Sequence, residues 1–349
     1  MKAKKTIGIL GGGQLGMFLC NSAKKQEVEV SIFSEVDNCS AKNFADKFYL
    51  GNLSKLSSLD HFLNSVDLVT VETENIPLKV LHYIEKKKEL FPNSNVISIA
   101  QDRMKEKTFI NSLNKIKTTN FDPINTFEDL KLSFNSFGGK VLIKSCQFGY
   151  DGKNQYLVNN KNMIDFENFN LSNFIAEEII DFKKEFSVIV ARDFYGNIIN
   201  YPPVENIHKN NILHKSIYPA IIPEEIKKKA VDFSKFLANK IDLVGILAIE
   251  MFLLKNNKIL INEIAPRPHN SGHWTMDGCN ESQFDYLINI LLGKKINLPK
   301  ITNSCIMTNV LGEDYKNKTE LNKKYKFYDY YKKKISPKRK MAHYIETNN

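Results

Sequence analysis

The densest chemistry in this chain lies in the stretch LAIEMFLLKNNKILINEIAP (247–266) and the loop that follows it. The stretch reads as a β-hairpin turning about Asn256–Asn257, residue types that tolerate the left-handed conformation. A loop symmetric about that pair puts Glu250 opposite Glu263, Phe252 opposite Ile261 and Leu254 opposite Ile259, all on one face. Opposed carboxylates repel, so the pair calls for a cation, and magnesium bridged to nucleotide phosphates suits carboxylates with no histidine between them. An open hairpin end with both acids solvated is the plainer alternative. In the next residues, PRPHNSGHW (266–274), Pro266 and Pro268 hold the backbone extended and project Arg267 and His269 beside the proposed metal. A fixed guanidinium there would offset charge on a transferring phosphoryl group. Scaffolding around a core tryptophan would use the same residues.

Two glycine-punctuated loops offer anion sites. In VLIKSCQFGYDGKN (141–154), a strand delivers Lys144 to a loop carrying Gly149, Tyr150, Asp151, Gly152 and Lys153. Backbone donors and cations of this kind suit nucleotide phosphates, although an ordinary turn of the YDG type is also possible. GGGQLG (11–16) follows a strand and opens a helix, as in a dinucleotide-binding turn, and Glu35 sits where such a fold places its ribose-binding acid. Taken alone, that motif points to a nicotinamide enzyme or to a tight turn without a ligand.

These residues need elements to hold them. The first hundred residues alternate: strands over 6–10, 28–34 and 67–73, helices over 14–25 and 57–66, a helix over PLKVLHYIEKKKEL, then the short strand VISI. Such alternation predicts a parallel sheet with helices on both faces. From about residue 105 the strands come in pairs: KVLIKS, NQYLVN, NFIAEEII, EFSVIVARD, NIINYPPVENI and, after a long helix over 223–240, the glutamate hairpin. This is α+β with antiparallel character. A helix in SQFDYLINILLG leads to a third piece of about 55 residues that begins at SCIMTNVLG.

Composition excludes several classes. With 349 residues, 42% of them hydrophobic, the chain can build two or three domains, and no apolar run approaches the ~20 residues that cross a bilayer. MKAKKTIGIL reads as a first strand, because no small-residue cleavage site follows it. The scattered cysteines, Cys20, Cys39, Cys146, Cys279 and Cys305, form no CxxC pair and suit a reducing cytoplasm. The net charge of +10 comes from lysines spread over apparent helix faces, which argues against nucleic-acid binding.

GGGQLG, QDRMKEK, IKSCQFGYDGK, INEIAPRPHNSGHW, SQFDYLI and SPKRKMAH together resemble, in order and over nearly the whole length, the ATP-grasp enzymes. Within them the chain is similar to the 5-(carboxyamino)imidazole ribonucleotide synthases of purine biosynthesis, and NEIAPRPHNSGHWT is the most specific match. The resemblance implies an ATP-grasp fold, α/β and α+β. Residues 1–104 would form a Rossmann-like parallel-sheet domain, 105–293 the ATP-grasp domain with a lid at about 115–176, and 294–349 a small C-terminal domain. It implies a ligase that uses ATP and bicarbonate to carboxylate 5-aminoimidazole ribonucleotide, with Mg²⁺ or Mn²⁺, in a cytoplasmic homodimer with no nucleic-acid or membrane partner. Around ATP it places Arg103, Lys144, Gly149 to Gly152, Glu177, Glu178, Ile179, Ile180, Glu185 (ribose), His208, Asn262 and Glu263, with Glu250 and Glu263 on the metal. Around the ribonucleotide it places Gln14, Leu15, Glu72, Tyr150, Arg267, His269, Asn270, Ser271, Lys333, Arg339 and Lys340. Asp151 would be the general base for the acceptor amine, with Arg267 and His269 beside it in catalysis. The chain departs from the family pattern at Phe148, Lys153, Asn154, Ser336 and Ala342. Formate-using glycinamide ribonucleotide transformylase, another ATP-grasp ligase, and a nicotinamide oxidoreductase are the alternatives.

Overall fold

The computed structural model describes residues 5–147 and 154–348. Apolar runs broken by glycine and by short helices build the first sheet, from β1 (Thr6–Leu10), β2 (Glu29–Ser34), β3 (Lys47–Leu50), β4 (Leu68–Val71) and β5 (Glu89–Phe91). They are all parallel in the order β3-β2-β1-β4-β5. Being covered on both faces, the central strand buries Ile7, Ile9 and Leu10 without alternation.

The expected strand VISI is instead a helix, Ser94–Ala100, and the fifth strand is Glu89–Phe91, at the end of what reads as one long helix. Asn93 explains the first change, because its side chain accepts from the Val96 N–H over 3.0 Å and caps a helix there. Val96 and Ile97 are then buried in two different cores, a helical division of labour that overrides their β-branched preference.

Four antiparallel strands follow, β6 (Phe121–Ile124), β7 (Lys140–Ser145), β8 (Gln155–Asn159) and β9 (Phe174–Glu178), in the order β6-β9-β7-β8. They pack on the helix Phe127–Ser136, which opens with a capping box between Thr126 and Asp129.

The third sheet has nine strands among the described residues. It comprises β10 (Phe182–Arg192), β11 (Ile198–Asn200), β12 (Val204–Lys209), β13 (Ile212–Tyr218), β14 (Gly245–Leu254), β15 (Ile259–Ala265), β16 (Ser304–Leu311), β17 (Lys326–Asp329) and β18 (Lys340–Asn348). Its order is β15-β14-β10-β12-β13-β16-β18-β17, with β11 beside β10. The single strand expected over NIINYPPVENI divides into β11 and β12 around Pro202 and Pro203, which have no N–H for a ladder. A strand missed in the sequence, β13, pairs with β12 through a two-residue turn of Asn210 and Asn211, both left-handed (φ 52° and 62°). The third piece of the chain builds no sheet of its own, because β16 pairs with β13 from Lys215↔Thr308 to Tyr218↔Cys305.

The glutamate hairpin departs from its expected register in two places. Its loop is the three residues 255–257, centred on Asn256 and not on the Asn256–Asn257 pair, with the Leu254 N–H bonded to the Lys258 carbonyl and Asn257 left-handed, so Phe252 faces Leu260 and not Ile261, and Leu254 does not face Ile259. A β-bulge at Asn262 then adds one residue back, and Glu250 lies opposite Glu263 as expected. The two offsets cancel from the Glu250–Glu263 pair onward.

Candidate active site

A cleft of about 900 Å³ runs between the three sheets. One end is set by the helix Arg103–Ser112, which Asp102 caps through the N–H groups of Met104 and Lys105. Arg103, Glu106 and Lys107 share the helix's inner face. Arg103 Nη1 donates to Glu263 Oε2 over 2.9 Å. Burial opposes ionisation of Glu263, but Arg103 and Lys144 outweigh it and hold its carboxyl below the ordinary range. Glu250 has no such partner: burial first, then the charges of Glu263 and Glu185, push its carboxyl well up. Glu106 accepts from the Ile264 N–H over 2.5 Å and so braces the strand that carries Glu263.

Behind this pair, Lys144 donates to Glu177 Oε2 over 3.0 Å, while Lys107, wholly buried, lies 3.4 Å from Glu177 Oε1 and donates to Thr119. Glu177 is thus held ionised against its burial by Lys144, Lys107 and Arg103. Glu178 accepts from Asn120, and Ile179 and Ile180 form the link from β9 to β10. Farther along β10, Glu185 lies 2.9 Å from His208 Nδ1, and these two with Glu250 bring their ligand-type atoms within 4.8 Å of one another. Burial opposes protonation of His208, but Glu185 more than offsets it, so its pKa is raised. Asn262 is the extra residue of the bulge and is half-buried.

The glycine loop lies on the opposite wall, with Gly13, Gln14 and Leu15 at the cleft. Two of its N–H groups are already engaged, because Glu72 accepts from Gly13 and, over 2.7 Å, from Gly16. A Cβ on Gly11 would stand 2.3 Å from Glu72 Cγ, and one on Gly13 would stand 2.8 Å from its Oε1. These glycines therefore make room for a carboxylate of the same chain. Glu35 accepts from the Leu53 N–H over 2.9 Å. With Glu72 occupying the Gly13 and Gly16 N–H groups, the loop does not present the anion cradle a dinucleotide pyrophosphate needs, which weakens the nicotinamide reading.

Between the two walls lie Arg267, His269 and Asn270. Arg267 is clamped by Glu74, which takes its Nε and, over 3.0 Å, its Nη2. His269 Nδ1 accepts from the Ser271 N–H over 3.3 Å, leaving Nε2 to face Glu250 at 3.5 Å. Burial, then Arg267 and Lys340, keep this imidazole neutral. Ser271 is wholly buried, bonded to Ser187 and His269, and off the cleft wall.

The third wall is cationic: Lys332, Lys338, Arg339 and Lys340 line it with Ser336. Lys333, expected there, reaches instead to Asn38 over 2.8 Å, and its neighbour Lys332 takes the place on the wall. Gly149, Tyr150, Asp151 and Gly152 lie outside the described residues.

Sequence reasoning missed Glu74, Glu106, Lys107 and Lys332. The spacing of Arg103, Glu106, Lys107 and Ile110 is that of one helix face and was the available signal. Nothing local marks Glu74 as the partner of an arginine 193 residues away.

A parallel-sheet domain, a four-stranded sheet over a cleft and a paired-glutamate hairpin define an ATP-grasp protein. Residues 109–284 match the ATP-grasp domain family. Residues 4–101 match the ribonucleotide synthetase preATP-grasp domain, and 305–348 the phosphoribosylaminoimidazole carboxylase C-terminal domain. The N5-carboxyaminoimidazole ribonucleotide synthase of Bacillus subtilis is 36% identical over 342 residues, which is 97% of this chain and 90% of that protein. The bifunctional purine synthesis protein purC/E of Dictyostelium discoideum is 38% identical over 335 residues, and there the match spans 88% of this chain and only 33% of the relative. Among solved structures, an ADP complex of an N5-carboxyaminoimidazole ribonucleotide synthetase superposes with TM-score 0.94 at 35% identity, over 99% of this chain and 92% of the other. The Aspergillus clavatus enzyme in complex with ADP and 5-aminoimidazole ribonucleotide superposes with TM-score 0.90 at 26% identity, over 100% and 95%. The chain belongs to the N5-carboxyaminoimidazole ribonucleotide synthase family.

Proposed function

We propose that this protein carries out the reaction its family is named for, the ATP-dependent carboxylation of 5-aminoimidazole ribonucleotide with bicarbonate. The observation that carries the reading is the meeting, in one cleft, of the Arg103–Glu263 corner and the cationic wall at Lys332, Arg339 and Lys340, with Arg267 and His269 between them. A triphosphate suits the first and a ribonucleotide's phosphate the second.

A bicarbonate oxygen attacks the γ-phosphorus of ATP and ADP leaves, giving carboxyphosphate. The exocyclic amine then attacks the carboxyl carbon, the carbon–oxygen bond to phosphate breaks, and the amine proton passes to a base. Arg103 and Lys144 bind phosphate oxygens; Glu177 and Lys107 hold Lys144 in line. The link at 177–180 and Glu185 receive adenine and ribose, with His208 and Asn262 near the phosphates. Arg267, oriented by Glu74, offers its remaining N–H groups to the carboxyphosphate. Neutral His269 orients the reacting carboxyl group, Asp151 is the base, and Gln14, Leu15, Glu72 and Asn270 bind the ribonucleotide, with Ser271 supporting His269.

Magnesium fits the Glu250–Glu263 pair on donor chemistry: both offer hard carboxylate oxygens, and Glu250 is a nearly buried acid raised by like charges and short of a cation. Manganese fits the same oxygens. When bound, the ion neutralises phosphate charge. The reading also carries a homodimer, checked by mass in solution across a dilution series, and a cytoplasmic location, suited to five free thiols.

Bicarbonate labelled with ¹⁸O tests the chemistry. Its attacking oxygen stays with phosphorus, so each phosphate released during carboxylation gains one label. Unlabelled phosphate would exclude carboxyphosphate, and equal turnover with formate in place of bicarbonate would favour a transformylase.

A further inference from the structure

His273 and His343 are both wholly buried, and neither lines the cleft. Their rings lie 4.7 Å apart at 32°, where the helix Gln14–Lys25, the 270–278 segment and β18 meet. Phe18 of that helix touches both, at 5.4 and 5.7 Å. Each imidazole uses Nδ1 and leaves Nε2 buried without a hydrogen-bond partner among the described residues. A phenyl ring would fill either place without that desolvation cost, so packing alone does not account for histidine.

The Nδ1 atoms lead to the cleft. Gln283 donates to the His269 carbonyl over 2.7 Å and accepts from the His269 N–H over 2.8 Å, which fixes the orientation of its amide. Its second N–H points to His273 Nδ1 at 3.2 Å, so that nitrogen accepts and the imidazole carries its proton on Nε2. On the other side, His343 Nδ1 lies 3.0 Å from the buried Tyr330 hydroxyl. Lys332 Nζ sits over the Tyr330 ring at 5.2 Å and donates to the Lys340 carbonyl over 2.7 Å. A continuous chain therefore joins His269, on one wall, to Lys332 and Lys340 on another, through Gln283, the packed imidazole pair and Tyr330. Burial keeps both imidazoles neutral, consistent with bonds that do not switch near neutral pH.

We propose that the His273–His343 pair is a positioning unit for the ribonucleotide side of the cleft, fixing His269 relative to the Lys332–Lys340 cations. The proposal rests on the reading that this side takes the ribonucleotide. Tyr330→Phe deletes one hydroxyl and little volume; His343→Phe keeps a stacked ring and deletes the nitrogens. Calorimetric titration with 5-aminoimidazole ribonucleotide and, separately, with ADP reads the effect in each full-length variant, alongside KM and kcat. Loss of one such bond should weaken ribonucleotide binding and raise its KM about three- to tenfold. ADP affinity should stay within about twofold of the wild type. Unchanged ribonucleotide affinity in both variants overturns the proposal, and so do matched losses for both ligands, the mark of a general structural role. A wild-type protein that binds ADP but no ribonucleotide overturns the functional reading itself, and this inference with it.

Discussion

A carboxylate with an arginine beside it and a carboxylate without one respond differently to losing their charge, and Glu263 and Glu250 are that pair. Glu263→Gln strips Arg103 of its partner. A fully buried broken pair costs about 3–5 kcal/mol, but 37% of the Glu263 side chain is exposed, so the loss should be nearer 1–2 kcal/mol. Glu250→Gln removes repulsion from Glu263 and Glu185 together with weaker attraction to His208 and Lys340, and should leave the metal-free protein as stable as the wild type or more so. The sign of its pH dependence follows. The folded carboxyl titrates above its unfolded value, so the native state holds the proton longer and wild-type stability falls as pH rises through that window. The margin of the variant over the wild type should widen from the ordinary carboxylate range towards neutrality, as read by urea titration with chelator present. A margin that narrows would contradict the assignment. Asp151→Asn should keep ADP binding and lose about 10²–10⁴-fold in carboxylated product. Product at the wild-type rate would place the base elsewhere. At this scale the acids and Arg267 were legible because their types are chemically narrow. Reading the glutamates as a simple repelling pair missed Arg103, and no single-residue signal marks Glu74.

The glycine loop is the element whose sequence motif and structural role differ most. GGGQLG reads as a cradle for an external phosphate, and in the fold it cradles Glu72. Gly13 has ordinary backbone angles, so its requirement is steric and not conformational. Gly13→Ala should cost about 1–3 kcal/mol by pushing a held carboxylate. In a Glu72→Ala background the same substitution should cost under about 0.5 kcal/mol. Equal costs in both backgrounds, measured as a double-mutant cycle, would show that something other than Glu72 limits the site. The hairpin at 247–266 teaches a related point. Alternation and an Asn-Asn turn were enough to face Glu250 to Glu263, but neither the three-residue loop nor the bulge at Asn262 has a signature strong enough to read in advance. The helix Ser94–Ala100 was misread because Val and Ile spoke louder than the capping asparagine before them.

Across the whole molecule, the third sheet ties the C-terminal cations to the glutamate hairpin. β18 zips onto β16, β16 onto β13, β13 onto β12 and β12 onto β10, so the wall bearing Lys340 is a continuation of the strands bearing Glu185 and Glu250. Hydrogen exchange should therefore find the amides of Cys305–Thr308 protected like those of Lys215–Tyr218. If the former exchange much faster, the C-terminal segment opens on its own and the cationic wall is not built into the sheet. The change from a parallel sheet to antiparallel strands was legible from the change of rhythm along the chain. The continuity of the sheet was not, because strand order is set by pairing between residues nearly a hundred positions apart.

The central claim joins ATP cleavage to carboxylation in one cleft, and phosphate release from ATP tests it most directly. Release is followed with 5-aminoimidazole ribonucleotide and bicarbonate together, with each alone, and with neither. The account predicts fast release only when both are present, matched one for one by carboxylated ribonucleotide. Release at the same rate without the ribonucleotide, or carboxylated product without loss of ATP, would contradict it.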